Sequence, residues 1–335
     1  MALELVGRLA KAEFPFVFKG GTSLLLHVQP IRRLSIDADI ATPESLEGTQ
    51  AVLNDVVSHR APFTRWQHQA GRDSENPPTR YFQVYYPSAI QGKEQHIQLD
   101  VLIEAASYPV TEKRIPRLDF LRLEEEIPIA VPCINGLLGD KLAAFAPSTI
   151  GIPYQPKARR TGEPGEPRPI RVCKQLFDVG VLFELATDLS VIDSRYRIVL
   201  NDQNRYRNTA YSFDQALNDT LDAAFWIAQT GRKITESNDK TVFFQKGFRS
   251  LKNHLLGSQL TPAEQALLSA RAALLAALLL AGQAKDSLPT LRTIPSIDQL
   301  RSVRIDGPWA RLDSLRKISP EAFHYWHQTA LMMGK

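Results

Sequence analysis

Two short stretches decide the reading of this chain: Phe16-Val17-Phe18-Lys19-Gly20-Gly21-Thr22-Ser23-Leu24 and, eight residues on, Arg33-Leu34-Ser35-Ile36-Asp37-Ala38-Asp39-Ile40. The first runs from three apolar, strand-forming residues into two glycines and a pair of hydroxyls. Glycines allow a backbone to come close to a ligand, and the amides of such a turn suit phosphate. It is not a Walker A loop, because G-x-x-x-x-G-K-[ST] is absent. In the second stretch Asp37 and Asp39 lie two apart, and on a strand residues i and i+2 share a face. Two carboxylates on one face beside a phosphate-binding turn suit a hard divalent cation, since Mg²⁺ takes carboxylate and phosphate oxygens together. Either motif alone is commonly a plain turn or a solvated strand edge; their order along the chain gives them weight.

Working outward, Ala2 to Ala12 has helical spacing, with Leu3, Val6 and Leu9 on one side, and Pro15 stops it. Thr22 to His27 reads as a short helix and Pro43 to Arg60 as a longer one. Strands are expected over Phe63 to Gln69, Arg80 to Tyr86 and Gln95 to Glu104, separated by turn-rich segments such as Asn76-Pro77-Pro78. The last alternates cleanly. Ile97, Leu99, Val101 and Ile103 take one side, while His96, Gln98 and Asp100 take the other. Asp100 therefore stands on the polar side of an otherwise buried strand and fits as a third carboxylate.

After Pro132 the pattern becomes helical: Asn135 to Phe145, Ile170 to Ala186, Ser212 to Thr230, Lys240 to Leu256 and Pro262 to Ala284. Ser148 to Pro169 is rich in proline and glycine and reads as a mobile loop. The expected architecture is α+β. An α/β lobe over residues 1–131 has a mixed sheet, and a mainly helical lobe covers 132–335.

Composition bounds the function. The chain has 335 residues, 44% hydrophobic and 23% charged, ordinary for a globular protein of about two domains. Its two cysteines, Cys133 and Cys173, provide neither a disulfide framework nor zinc spacing, and point to a reduced, cytoplasmic setting. The first residues lack the pattern of a signal peptide, and the apolar run Ala272 to Ala281 is too short to span a bilayer, so it reads as a buried helix and no membrane partner is expected. The formal net charge is +4. Between Gly151 and Lys174 six basic residues face two acidic ones, which equals the whole net excess. That stretch is either a solvated linker or the contact for an anionic partner. No G-x-S-x-G elbow, H-E-x-x-H pair or Rossmann fingerprint occurs.

F-x-F-K-G-G-T-S-L followed by R-x-S-x-D-x-D resembles the AbiEii/AbiGii toxin family of nucleotidyltransferases, which includes the MenT toxins and lies in the DNA polymerase β-like superfamily. Gly139-Asp140-Lys141-Leu142-Ala143-Ala144 is similar to the family's lysine motif. Arg171 to Asp178, R-x-x-K-Q-x-x-D, is similar to its R-x-K-D-x-x-D helix, with Gln175 where the family has an acid. The resemblance implies that Gly21, Thr22 and Ser23 hold a triphosphate. It places Ser35, Asp37 and Asp39 at the catalytic strand, with Asp37, Asp39 and Asp100 on Mg²⁺ or Mn²⁺. Lys141 and Lys174 would reach nucleotide phosphates, and Asp178 would serve the acidic role. It further implies transfer of a nucleotide from an NTP to the 3′ acceptor end of tRNA, blocking translation. It also implies restraint by an antitoxin, often a winged-helix protein, and a link to phage defence. The basic loop, through Arg159 and Arg160, would then track RNA. Two other readings share the same residues: transfer to a protein or small molecule, and a non-catalytic module that holds NTP or RNA.

Overall fold

The computed structural model describes the chain apart from residues 59–61, 91, 106, 108, 117–124, 157–164, 230–238, 258–259, 283–287 and 335. It divides into two units, Met1–Cys133 and Ile134–Lys335.

The first unit opens with α1 (Ala2–Lys11), whose Leu5, Val6 and Leu9 are buried. Next come β1 (Val17–Lys19), a 3₁₀ turn at Ser23–Leu26, β2 (Ala38–Thr42) and α2 (Leu46–Ser58). Strands β3 (Arg65–His68), β4 (Ser74–Glu75), β5 (Pro78–Pro87) and β6 (Glu94–Ile103) follow, then β7 (Val110–Arg114) and β8 (Pro128–Pro132). The main sheet has the order β1-β2-β6-β5-β3, with β4 alongside β5. Only the β2–β6 pairing within it is parallel, so the sheet is mixed. β7 and β8 pair separately.

Alternation sorts the two faces of this sheet. Phe18, Ile40, Phe82, Val84, Ile97, Leu99 and Val101 turn inward and meet Leu5, Val6 and Leu9 of α1 and Leu53 and Val56 of α2. Burial of that apolar surface, at ~25 cal/mol per Å², drives the assembly. The opposite face carries Asp39, Asp100, Gln98, Gln83, Tyr81 and Tyr85, which remain partly or wholly accessible. The reading of Gln95 to Glu104 as half core and half polar is what the structure shows.

The second unit comprises α3 (Ile134–Ala144), α4 (Pro169–Leu185), α5 (Leu189–Arg207), α6 (Phe213–Ala228), α7 (Asp239–Leu251) and α8 (Pro262–Leu280). The short α9 (Leu288–Leu291), α10 (Ile297–Arg301) and α11 (Leu315–Ile318) lead to α12 (Pro320–Met332). α8 is apolar on all sides because it lies inside, packed against α4, α6 and α12. By length and composition it suffices to cross a membrane, but 78% of that stretch is buried. The sequence pattern predicts no helix at α5. Its sequence is rich in Arg, Asp and Asn, yet Asp188 caps it by accepting from Ser190 N at 2.9 Å and Val191 N at 3.2 Å, and Asn208 ends it in the left-handed region.

Arg271 of α8 ties the bundle together. Its guanidinium donates to Gly180 O at 2.9 Å, Glu184 at 2.7 Å and Glu321 at 2.9 Å, on α4 and α12. Such a buried cation holds only because it is paired on several sides.

Candidate active site

In the first unit, register alone brings the early acidic pair to the late one. β2 and β6 run parallel with Asp39 opposite Asp100. Asp37 immediately precedes β2 and is exposed. The Asp100 carboxyl is pushed up to about 6 from 3.8, chiefly by burial and next by the Asp39 charge; a hydrogen bond from Gln98 and the Arg72 charge oppose this, and Asp37 adds to it. Its Oδ1 is buried and accepts no hydrogen bond. Asp100 thus feels the charges of Asp39 and Asp37 and has one buried oxygen unsatisfied, which is the electrostatic signature of a place that favours a cation. Among the described residues, however, no three His, Cys, Asp or Glu side chains converge closely enough to enclose a metal ion.

The Gly-Gly turn closes on this group. Gly20 has φ +76°, a conformation that glycine alone enters cheaply, and a Cβ there would overlap the Asp39 carboxylate. At Gly21 a Cβ would stand 2.6 Å from Arg33 Nη2 and 3.3 Å from Ser35 Oγ. The glycines are therefore required by Asp39 on one side and by Arg33 and Ser35 on the other.

The hydroxyls behave differently from the expectation that they hold phosphate. Thr22 and Ser23 are fully buried. Thr22 Oγ1 donates to Asp37 O, and Ser23 Oγ donates to Gly20 O at 3.0 Å. Thr22 ties the turn to the segment that carries the aspartates, and Ser23 closes the turn on itself. The amides of Gly21, Thr22 and Ser23 enter none of the turn and loop hydrogen bonds of the described residues, so the backbone is the part of this turn that suits an anion.

Arg33 heads the R-x-S-x-D-x-D motif, which by itself gives it no role. It is only 6% exposed and sets a guanidinium against Gly21. The signal was present in its place two residues before Ser35 and four before Asp37, on the same side of an extended segment.

In the second unit Lys141 of α3 and Asp178 of α4 form a buried ion pair, Nζ to Oδ2 at 3.1 Å, with side chains 8% and 0% exposed. Asp178 lies wholly inside. Lys174 sits one turn earlier on α4 and is half-buried, and Arg171 is exposed. The neighbour of Lys141, Asp140, accepts from Arg195 Nε of α5 at 2.5 Å. Gly139 lets α3 and α5 touch, since a Cβ there would be 2.9 Å from Ile192 O.

Tyr154 packs edge-on against Phe243 and Phe244, at 5.0 and 5.7 Å between ring centres. Ser148 and Thr149 are held by Asp219, whose Oδ2 accepts from Ser148 N at 2.7 Å, Thr149 N at 2.9 Å and Thr149 Oγ1 at 2.8 Å. Lys157, Arg159 and Arg160 of the basic loop lie outside the described residues. Cys133 and Cys173 form no disulfide, and burial pushes the Cys173 thiol well above its ordinary range.

Among solved structures the chain is similar to MenT4, a nucleotidyltransferase toxin from Mycobacterium tuberculosis H37Rv, with 14% identity, 95% of this chain and 91% of that chain covered, and a TM-score of 0.52. JHP933 from Helicobacter pylori matches with 16% identity, 87% and 94% coverage and a TM-score of 0.44. No curated protein sequence matches. Residues 6–270 match the family described as nucleotidyl transferase AbiEii toxin, type IV TA system. The chain belongs to the AbiEii family of nucleotidyltransferase toxins.

Proposed function

We propose that this chain is a toxin that transfers a nucleotide from an NTP to the 3′ acceptor end of tRNA with Mg²⁺ bound by Asp37, Asp39 and Asp100. Family membership supports the transferase chemistry, and an antitoxin partner follows from the type IV toxin–antitoxin system. The observation that carries the site is the Asp39–Asp100 register pairing under the Gly20 turn. When bound there, the metal would lower the pKa of the attacking hydroxyl and neutralise charge on the leaving pyrophosphate.

The chain's own groups do the rest. The Gly21–Ser23 amides and the Arg33 guanidinium supply positive charge where triphosphate oxygens would lie. Thr22 ties the turn to Asp37, and Ser23 closes the turn itself. Burial and the Asp39 charge, which raise the Asp100 carboxyl to about 6 without a cation, favour a cation there. We assign the nucleotidyltransferase lobe to the first unit and phosphate contacts to Lys141 and Lys174, with Asp178 holding Lys141 in its rotamer.

The test is incubation with Mg²⁺, each labelled NTP in turn, and total RNA or protein extract. Label in tRNA is expected. Label only in protein or small molecules, or NTP binding with no incorporation, would overturn the tRNA reading.

A further inference from the structure

The polar face of the main sheet extends well past the carboxylates. Register builds three rungs on it: Asp39–Asp100–Tyr81, then Gln98–Gln83–Gln67, then His96–Tyr85–Arg65. The reverse face of the same strands holds Phe82, Val84, Ile97 and Leu99 in the core, so the rungs are fixed in place from behind.

Two of the rungs carry the same device. The Arg72 guanidinium lies 4.5 Å above the Tyr81 ring, and its Nη1 donates to Gln98 Oε1 at 2.8 Å. The Arg65 guanidinium lies 3.5 Å above the Tyr85 ring and pairs with Glu94, its Nε donating at 3.1 Å. Tyr85 Oη donates to Gln83 Oε1 at 2.7 Å. Both arginines are exposed on their outer sides. Tyr81 and Tyr85 are four residues apart on one strand, a separation of ~13 Å.

Sheet order gives this face a direction. The Gly20–Gly21 turn ends β1 on one flank of the carboxylates, while β5 and β3 lie on the other. In-line displacement at phosphorus puts the leaving pyrophosphate and the attacking hydroxyl on opposite sides. With the triphosphate toward β1, the acceptor arrives across β5.

We propose that the open face of β5 and β6 is the acceptor track, on which the single-stranded end of an RNA lies with its bases stacked on two guanidinium planes, Arg72 over Tyr81 and Arg65 over Tyr85. A flat cation backed by an aromatic ring offers a base a stacking surface that tolerates any sequence, and its charge complements the phosphate backbone. The inference rests on RNA being the acceptor and adds which side of the metal group it occupies.

The experiment measures binding of a labelled single-stranded oligoribonucleotide by fluorescence anisotropy without NTP, for the intact chain and for Arg65→Ala, Arg72→Ala and Arg72→Lys. Each alanine variant is expected to bind about five- to tenfold more weakly, the size of one stacking contact. Arg72→Lys, which keeps the charge and loses the plane, is expected to weaken nearly as much. For Arg65→Ala, affinity for a non-hydrolysable NTP with Mg²⁺ and the melting temperature should not move. Variants that bind the oligonucleotide within twofold of the unaltered chain, while that chain still labels RNA, overturn the track alone. A lysine variant equal to the unaltered chain overturns stacking in favour of bare charge. If the unaltered chain binds no oligonucleotide and labels protein instead, the RNA reading falls and the track with it.

Discussion

Cutting the buried ion pair of the helical unit separates structure from chemistry. Lys141 Nζ and Asp178 Oδ2 are 3.1 Å apart with almost no solvent access. Removing one partner breaks a pair of charges held in the interior, which costs ~3–5 kcal/mol. Lys141→Met should therefore lose about that much stability, and Asp178→Leu at least as much. Replacing both at once removes both charges, and apolar replacements of similar size are often neutral, so the double variant should lie within ~1–2 kcal/mol of the unaltered chain. The coupling is then several kcal/mol, well above the error of a double-mutant cycle. Urea unfolding followed by tryptophan fluorescence reads it, since three of the four tryptophans, Trp226, Trp309 and Trp326, lie in this unit. Nucleotide transfer by the double variant is the second readout: it should be folded and inactive if Lys141 touches phosphate. A Lys141→Met loss below ~1 kcal/mol, or additive single effects, would refute the reasoning. A folded double variant with full activity would remove Lys141 from the chemistry.

Asp100→Asn tests the crowding of the carboxylates. A carboxyl raised in the folded state gives stability that is present below 3.8 and lost as pH rises through about 6. At ~1.4 kcal/mol per pH unit the gap amounts to at most ~3 kcal/mol, or ~2 for a partly exposed side chain. In metal-free buffer the variant should thus be more stable than the unaltered chain at pH 7.5 and equal to it at pH 3.5; a variant of equal stability at both contradicts the account. Gly20→Ala should cost ~1–2 kcal/mol for the left-handed backbone and more for displacing Asp39, with a fall in transfer rate measured at a temperature where the variant is folded. Retained activity would place the turn away from the reaction. Asp219→Ala removes the acceptor of the Ser148 amide, ~1–3 kcal/mol, while Thr149 N keeps Ala146 O at 3.2 Å, so hydrogen exchange at Ser148 should accelerate; unchanged exchange there would show that the carboxylate does not hold it.

The elements read best from sequence were those with an uninterrupted apolar rhythm: α1, α4, α8 and β6. α5 escaped because its buried Leu189, Ile192, Tyr196 and Leu200 are sparse among charged residues, although Asp188 and Asn208 mark both ends. β7 escaped because none of its residues is buried and its partner β8 lies across a long connection. At the site, Asp39 and Asp100 were each legible by alternation, but their alignment is a long-range register that no local pattern encodes. The inward turn of the Thr22 and Ser23 hydroxyls was likewise hidden, since a hydroxyl that braces backbone and one that binds phosphate look alike in sequence. Arg33 was hidden by its type: arginine is seldom buried, and only the space left by Gly21 admits it.

Pyrophosphate release from an NTP, measured with Mg²⁺ and tRNA for the unaltered chain and for Asp39→Asn, tests the carboxylate group most directly. The substitution keeps size and polarity and removes one charge. The account predicts a rate at least a hundredfold lower with an unchanged circular dichroism spectrum. A folded Asp39→Asn chain that releases pyrophosphate within a few-fold of the unaltered rate would contradict it.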